Sequence, residues 1–186
     1  MLLANLRLSL VLLLICGLAY PLAMTGIAQI VMPAQASGSL IVDEAGKVVG
    51  SELIGQTFTD PKYFSGRISS IDNNAAGSGS NNYAPSNPAL IERTQKELAA
   101  FLEANPDVKQ EEIPADLLTN SASGLDPHIS PKAAAIQVER IAKARNLDPA
   151  KLNALIEENT DGRSLGVFGE PRVNVLKLNL ALDQWK

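Results

Sequence analysis

Residues 8–32 read LSLVLLLICGLAYPLAMTGIAQIVM. This stretch has no Asp, Glu, Lys or Arg, and the charge-free run continues to Val42. As a helix, 25 residues rising about 1.5 Å each reach roughly 37 Å, enough to cross a hydrocarbon layer of about 30 Å with some tilt. No later apolar run approaches this length. The chain is therefore expected either to cross a membrane once or to be exported.

Both outcomes have support in the residues. Ala34-Gln35-Ala36 fits the small-x-small pattern of a signal-peptidase site. Against cleavage, a signal h-region spans only about 7–15 residues. Pro21 interrupts the run but need not end a membrane helix, because neighbouring groups can satisfy the freed backbone. A retained anchor over about 8–32 is the favoured reading. It divides the chain into an N-terminal tail and transmembrane helix, 1–36, and a single domain, 37–186. Arg7 and the amine form a short basic end that normally stays cytoplasmic, so residues 37–186 are expected outside. On the anchor, Ala19, Ala23 and Gly26 share a stripe at spacings of four and three residues. Small side chains there allow a partner helix to approach closely.

The part after the anchor carries all 20 acids and every Lys and Arg except Arg7. It is one unit more negative than the whole chain's −4. That balance argues against nucleic acid and against anionic headgroups as ligands. The single cysteine, Cys16, lies in the apolar run, so the domain has no disulfide to form.

The expected fold is α+β, with about three helices and a small sheet. Ser39–Val42 reads as a strand, Asp43-Glu44-Ala45-Gly46 as a turn and Lys47–Val49 as a returning strand. Residues 65–87 are rich in Gly, Ser and Asn. A structureless connection of that length is usually functional or disordered. Asn87-Pro88, Ser130-Pro131 and Asp148-Pro149 each place a capping side chain before a proline, which predicts three helix starts. Leu176, Leu178, Leu180 and Leu182 alternate with polar or small residues, a strand pattern, yet Asn174 could cap a short helix instead. A strand over Arg172–Leu176 is favoured, with the remainder open.

Motifs suggestive of chemistry fail on context. Gly162-Arg163-Ser164-Leu165-Gly166 matches a nucleophile elbow, which needs a strand before it, a helix after it and a later histidine. A helix is expected before it, and the only histidine, His128, is upstream. Ser121, Ser123, Asp126 and His128 lie too close in sequence to supply separated triad partners. One His and no cysteine beyond the anchor argue against zinc. No catalytic or metal residue is expected, and cofactor-binding residues are left unassigned. Gly77-Ser78-Gly79-Ser80 could cradle a phosphate through backbone N–H groups, a weaker reading than a flexible or partner-contacting loop. Asp126, Pro127, His128 and Ser130 read as a stiff turn and helix cap, with His128 a hydrogen-bonding group.

Several strings then occur together. They are Tyr20-Pro21-Leu22 with Thr25-Gly26-Ile27-Ala28-Gln29, Gly50-Ser51-Glu52-Leu53-Ile54-Gly55-Gln56 and Pro61-Lys62-Tyr63-Phe64-Ser65-Gly66-Arg67. Pro85-Ser86-Asn87-Pro88, Ser123–Pro131 with Gln137-Val138-Glu139-Arg140, and Leu165–Val175 follow. In this order the sequence resembles the C subunit of the bacterial Kdp potassium-transporting ATPase over nearly its whole length.

The resemblance implies a single-pass subunit of the bacterial plasma (inner) membrane. Its partners would be a channel-like potassium-translocating subunit, a P-type ATP-hydrolysing subunit and a small membrane peptide, within the lipid bilayer and without nucleic acid. It also implies a non-catalytic role, as a stabiliser and a catalytic chaperone that raises ATP affinity. ATP would enter through the complex and potassium as its transported ion, with no cofactor bound tightly by this chain. The rival expectation is an independent exported enzyme or solute-binding protein with a cleaved signal.

Overall fold

The computed structural model describes residues 1–43 and 45–185. The chain forms two compact units, Met1–Ser51 and Glu52–Lys186. The expected division at residues 36 and 37 follows the end of the apolar helix. Compactness instead groups the next hairpin with that helix.

In the first unit, helix α1 runs Leu2–Val31 with mean hydropathy 2.2, long and apolar enough to cross a membrane. It begins six residues earlier than the apolar run suggested and takes in Arg7. Residues Ile15–Ala19 form a π-helical turn, closed by the Tyr20 N–H donating to Ile15 O. Pro21 explains its position. A proline ring clashes with the carbonyl four residues back and removes one N–H; widening the preceding turn relieves both. A short helix, α2 (Pro33–Ala36), follows. Strands β1 (Leu40–Val42) and β2 (Val48–Ser51) pair antiparallel, with a bulge between Ile41 and Val42. β2 ends two residues later than the expected Lys47–Val49. Of the expected turn, Glu44 lies outside the described residues; Asp43 accepts from the Lys47 N–H at 2.8 Å.

The second unit is α+β. Helix α3 (Pro88–Ala104) and helix α7 (Pro149–Glu158) start at the expected caps, where Asn87 and Asp148 accept from Ala89 and Ala150 N–H groups at 2.9 Å. A short α4 spans Ala115–Leu118. The second expected helix is two pieces, α5 (Pro131–Ala135) and α6 (Val138–Arg145). Gln137 causes the break. Its amide donates to Ala133 O at 3.0 Å, the carbonyl its own N–H would take in a continuous helix, and the N–H bonds Ala134 O instead. Gln137 is fully buried and also bonds Ser65 and Arg140.

A three-stranded antiparallel sheet has order β3-β5-β4, from His128–Ile129, Arg172–Asn174 and Thr160–Asp161. The C-terminal expectation needs correction. The strand stops at Asn174, whose side chain accepts from the Lys177 N–H and caps helix α8, Val175–Asp183. Helical turns bury Val175, Leu178, Asn179 and Leu182 together, which extended alternation would not. Val175, Leu178 and Leu182 join Phe64, Ile129, Ile141, Leu152, Leu155 and Val173 in one core. Burying each such side chain is worth roughly 1.5–3 kcal/mol. Helix α3 buries none of its residues fully, and Ile91 on its apolar face is exposed.

Candidate functional site

The stretch from Ser121 to Ser130 is where distant segments meet. Its backbone accepts hydrogen bonds from upstream loops. Gly55 N–H donates to Leu125 O at 2.7 Å, Gly79 N–H to Ser123 O at 2.9 Å, and Ser69 Oγ to Gly124 O at 2.6 Å. The Gly- and Asn-rich segment expected to be functional or disordered is thereby tied down. Ser69 Oγ also accepts from the Asn73 N–H at 2.9 Å.

Two glycines are required by close approach. A Cβ on Gly55 would lie 2.8 Å from Asp126 O, and one on Gly124, at φ +71°, 2.6 Å from Ile71 Cγ1. Pro127 O accepts from the Val175 N–H at 3.0 Å, joining the turn to the start of α8.

Within this frame Asp126 is the charged centre. Arg67 Nη1 donates to Asp126 Oδ2 at 2.8 Å, and the His128 backbone N–H donates to Oδ1 at 3.0 Å. His128 Nδ1 lies 3.2 Å from the same oxygen, an arrangement in which the Nδ1 tautomer donates. The carboxyl pKa falls to about 2, chiefly through the His128 ring bond, then its backbone N–H and Arg67, against a partial burial that opposes the shift. Asp126 is ionised at neutral pH and fully engaged.

Ser130 caps α5, its Oγ accepting from the Ala133 N–H at 3.1 Å. Asp116, from α4, holds that cap by accepting from the Ser130 N–H at 2.8 Å and from its hydroxyl at 3.3 Å. Arg67, Asp116, Asp126, His128 and Arg172 line one open cavity of about 490 Å³.

The structure thus brings Asp126, Pro127, His128 and Ser130 to one place, but as turn, strand start and cap. Ser121 and Ser123 make backbone-directed bonds and do not join His128: the Leu125 N–H donates to Ser123 Oγ, and Ser121 O accepts from the Gly124 N–H. At Ser164, a two-residue strand does precede the Gly-x-Ser-x-Gly string, contrary to expectation, but a turn and not a helix follows it. Among the described residues no group of three or more His, Cys, Asp or Glu could hold a metal.

Arg67 and Asp116 were not singled out from the sequence. Their partners are 59 and 14 positions away, and no local pattern marks them.

On α1, Ala19, Ala23 and Gly26 are all exposed. Ala19 is the last residue of the π turn, and Ala23 and Gly26 lie on the regular helix that follows it. A Cβ on Gly26 would meet no atom within 4 Å.

The chain matches the model of the family described as KdpC, the K+-transporting ATPase c chain, over residues 2–184. It is 60% identical over 178 residues to a potassium-transporting ATPase KdpC subunit of Bacillus cereus (strain B4264), covering 96% of this chain and 92% of that one. The potassium-transporting ATPase KdpC subunit of Bacillus anthracis is 57% identical over the same shares.

Proposed function

This chain belongs to the c-chain family of the K+-transporting ATPase, and from that membership we propose a non-catalytic accessory subunit that stabilises the pump and raises the ATP affinity of its hydrolysing subunit. Its partners are a channel-like potassium-translocating subunit, a P-type ATP-hydrolysing subunit and a small membrane peptide. Potassium is the transported ion, and ATP is held through the complex. The observation that carries the reading is 60% identity to a potassium-transporting ATPase subunit across 96% of the chain.

The anchor is retained in the bacterial plasma membrane, with Arg7 cytoplasmic and residues 37–186 outside. Ala19, Ala23 and Gly26 face a partner helix. The turn at Asp126, Pro127, His128 and Ser130 shapes a rigid surface of the outer domain.

ATP is cytoplasmic, so an outer domain can change ATP affinity only by biasing a conformational equilibrium of its partner. Such couplings typically reach about 5–150-fold. The test compares ATP hydrolysis by the other subunits with and without this chain. Adding it should lower the ATP concentration for half-maximal rate by about fivefold or more. An unchanged ATP dependence in a fully assembled complex would refute the chaperone role.

A further inference from the structure

Ala34-Gln35-Ala36 fits a signal-peptidase site, and all three residues are exposed. Lack of access therefore does not protect them. Their backbone is instead held in a closed turn. Met32, at φ −143°, ends α1, and α2 (Pro33–Ala36) starts a new helix beside it. The Ala36 N–H donates to Met32 O and the Ser37 N–H to Pro33 O, each at 3.0 Å. The Gly38 N–H donates to Gln35 O at 3.0 Å and the Ser39 N–H to Ala34 O at 2.8 Å. That pair of bonds around Gly38, at φ +85°, is a Schellman cap. Ser51 Oγ, at the end of β2, donates to Gly38 O at 2.7 Å and ties the cap to the hairpin.

We propose that residues 33–39 form a latch over a latent signal-peptidase site, so that the conformation of α2 keeps the anchor on the chain. The proposal rests on the retained-anchor reading above. Cleavage here is hydrolysis of the Ala36–Ser37 bond: water adds at the Ala36 carbonyl, leaving a carboxylate on Ala36 and an amine on Ser37. Peptides read through alternate side chains bind extended, adding a strand through main-chain hydrogen bonds. In a strand, residues 34 and 36 fall on one face, where adjacent small pockets hold both alanines. In α2 they lie roughly 200° apart around the axis. The carbonyls of Ala34 and Gln35 and the N–H groups of Ala36 and Ser37 are already bonded within the turn. The latch must open before cleavage, and the rate follows the open population. Gly38 sets that population. A Cβ there would meet no atom within 4 Å, so a substitution acts through backbone strain and not through a clash. A β-branched residue at such a φ is a steric outlier, whereas Asn tolerates it.

The test uses the full chain. Wild type recovered from membranes should begin at Met1 or Leu2. Purified in mild detergent, it is incubated with bacterial signal peptidase beside three variants. Gly38→Val should be cut about tenfold faster than wild type or more, yielding a chain that begins at Ser37. Gly38→Asn should stay near wild type. Gly38→Val/Ala36→Leu should resist, because the small residue at the site is gone. The length of the apolar helix is the competing cause of resistance, and Gly38→Val leaves that length unchanged. Equal resistance of Gly38→Val and wild type would overturn the latch. So would cleavage of Gly38→Asn as fast as Gly38→Val, or cleavage that persists in Gly38→Val/Ala36→Leu. If wild type from membranes is intact and Gly38→Val resists the peptidase, only this inference fails; if wild type from membranes already begins at Ser37, the retained-anchor reading fails with it.

Discussion

Asn179 holds both backbone groups of Phe64. Its Oδ1 accepts from the Phe64 N–H and its Nδ2 donates to Phe64 O, each at 2.9 Å and across 115 positions of sequence. Asn179 is 2% exposed and Phe64 is wholly buried. The bond pair sets the 58–68 loop against α8, so the Phe64 ring enters the core without leaving its backbone unpaired. Arg67 then follows three residues later, within reach of Asp126.

Asn179→Leu should therefore cost more than a typical lost hydrogen bond. It strands a buried N–H and a buried carbonyl, at about 1–3 kcal/mol each. Phe64→Ala should cost about 3–5 kcal/mol through cavity formation. Urea unfolding of the full chain in detergent, followed by tryptophan fluorescence, measures both. A loss below about 1 kcal/mol for Asn179→Leu would mean that water replaces the amide.

The Asp126 cluster gives a pH prediction with a definite sign. The folded pKa is lowered from 3.8 to about 2. The ionised form is thus favoured by folding, and the stabilisation is present above about pH 4 and lost as pH falls towards 2. At pH 7 it is worth about 2 kcal/mol. Asp126→Asn should lose that amount at pH 7, and the difference from wild type should shrink between pH 4 and 2. A difference independent of pH would locate the effect in shape and not in charge.

Ser130→Ala should cost about 0.5–2 kcal/mol through the lost cap, read as a fall in unfolding midpoint. His128→Gln keeps hydrogen-bonding capacity and removes titration. It should preserve potassium-dependent ATP hydrolysis by the complex between about pH 6 and 8. Complete loss of hydrolysis with assembly intact would make His128 a working residue.

These contacts divide what the sequence discloses from what it hides. The apolar run from Leu8 and the caps at Asn87, Ser130 and Asp148 are legible because each depends on residues within a turn or two. The end of the chain misleads because Leu176, Leu178, Leu180 and Leu182 satisfy a two-residue period; the Asn174 cap and packing against Ile141 and Leu152 within the core decide for helix. Gln137, which breaks the second helix, is also bonded to Ser65, 72 positions away. Arg67–Asp126 and Phe64–Asn179 are equally non-local, so no spacing rule reaches them. The sequence marks Asp126–Ser130 as a turn and cap, but not as the meeting point of the 55, 69 and 79 loops.

The anchor face is tested by Ala23→Leu and Gly26→Leu. A Cβ at residue 26 meets no atom within 4 Å, so insertion and helix formation should be unaffected. Loss of close helix approach should reduce recovery of the other subunits several-fold, as co-purification reads directly. Unchanged recovery in both variants would place the packing face elsewhere on α1.

The central claim is membership of a working potassium pump, and affinity purification of the tagged full chain in mild detergent tests it most directly. The account predicts co-purification of a P-type ATP-hydrolysing subunit and a potassium-translocating subunit, with the chain's own N-terminus uncleaved. Recovery of this chain alone, beginning at Ser37, would contradict it and identify an independently exported protein.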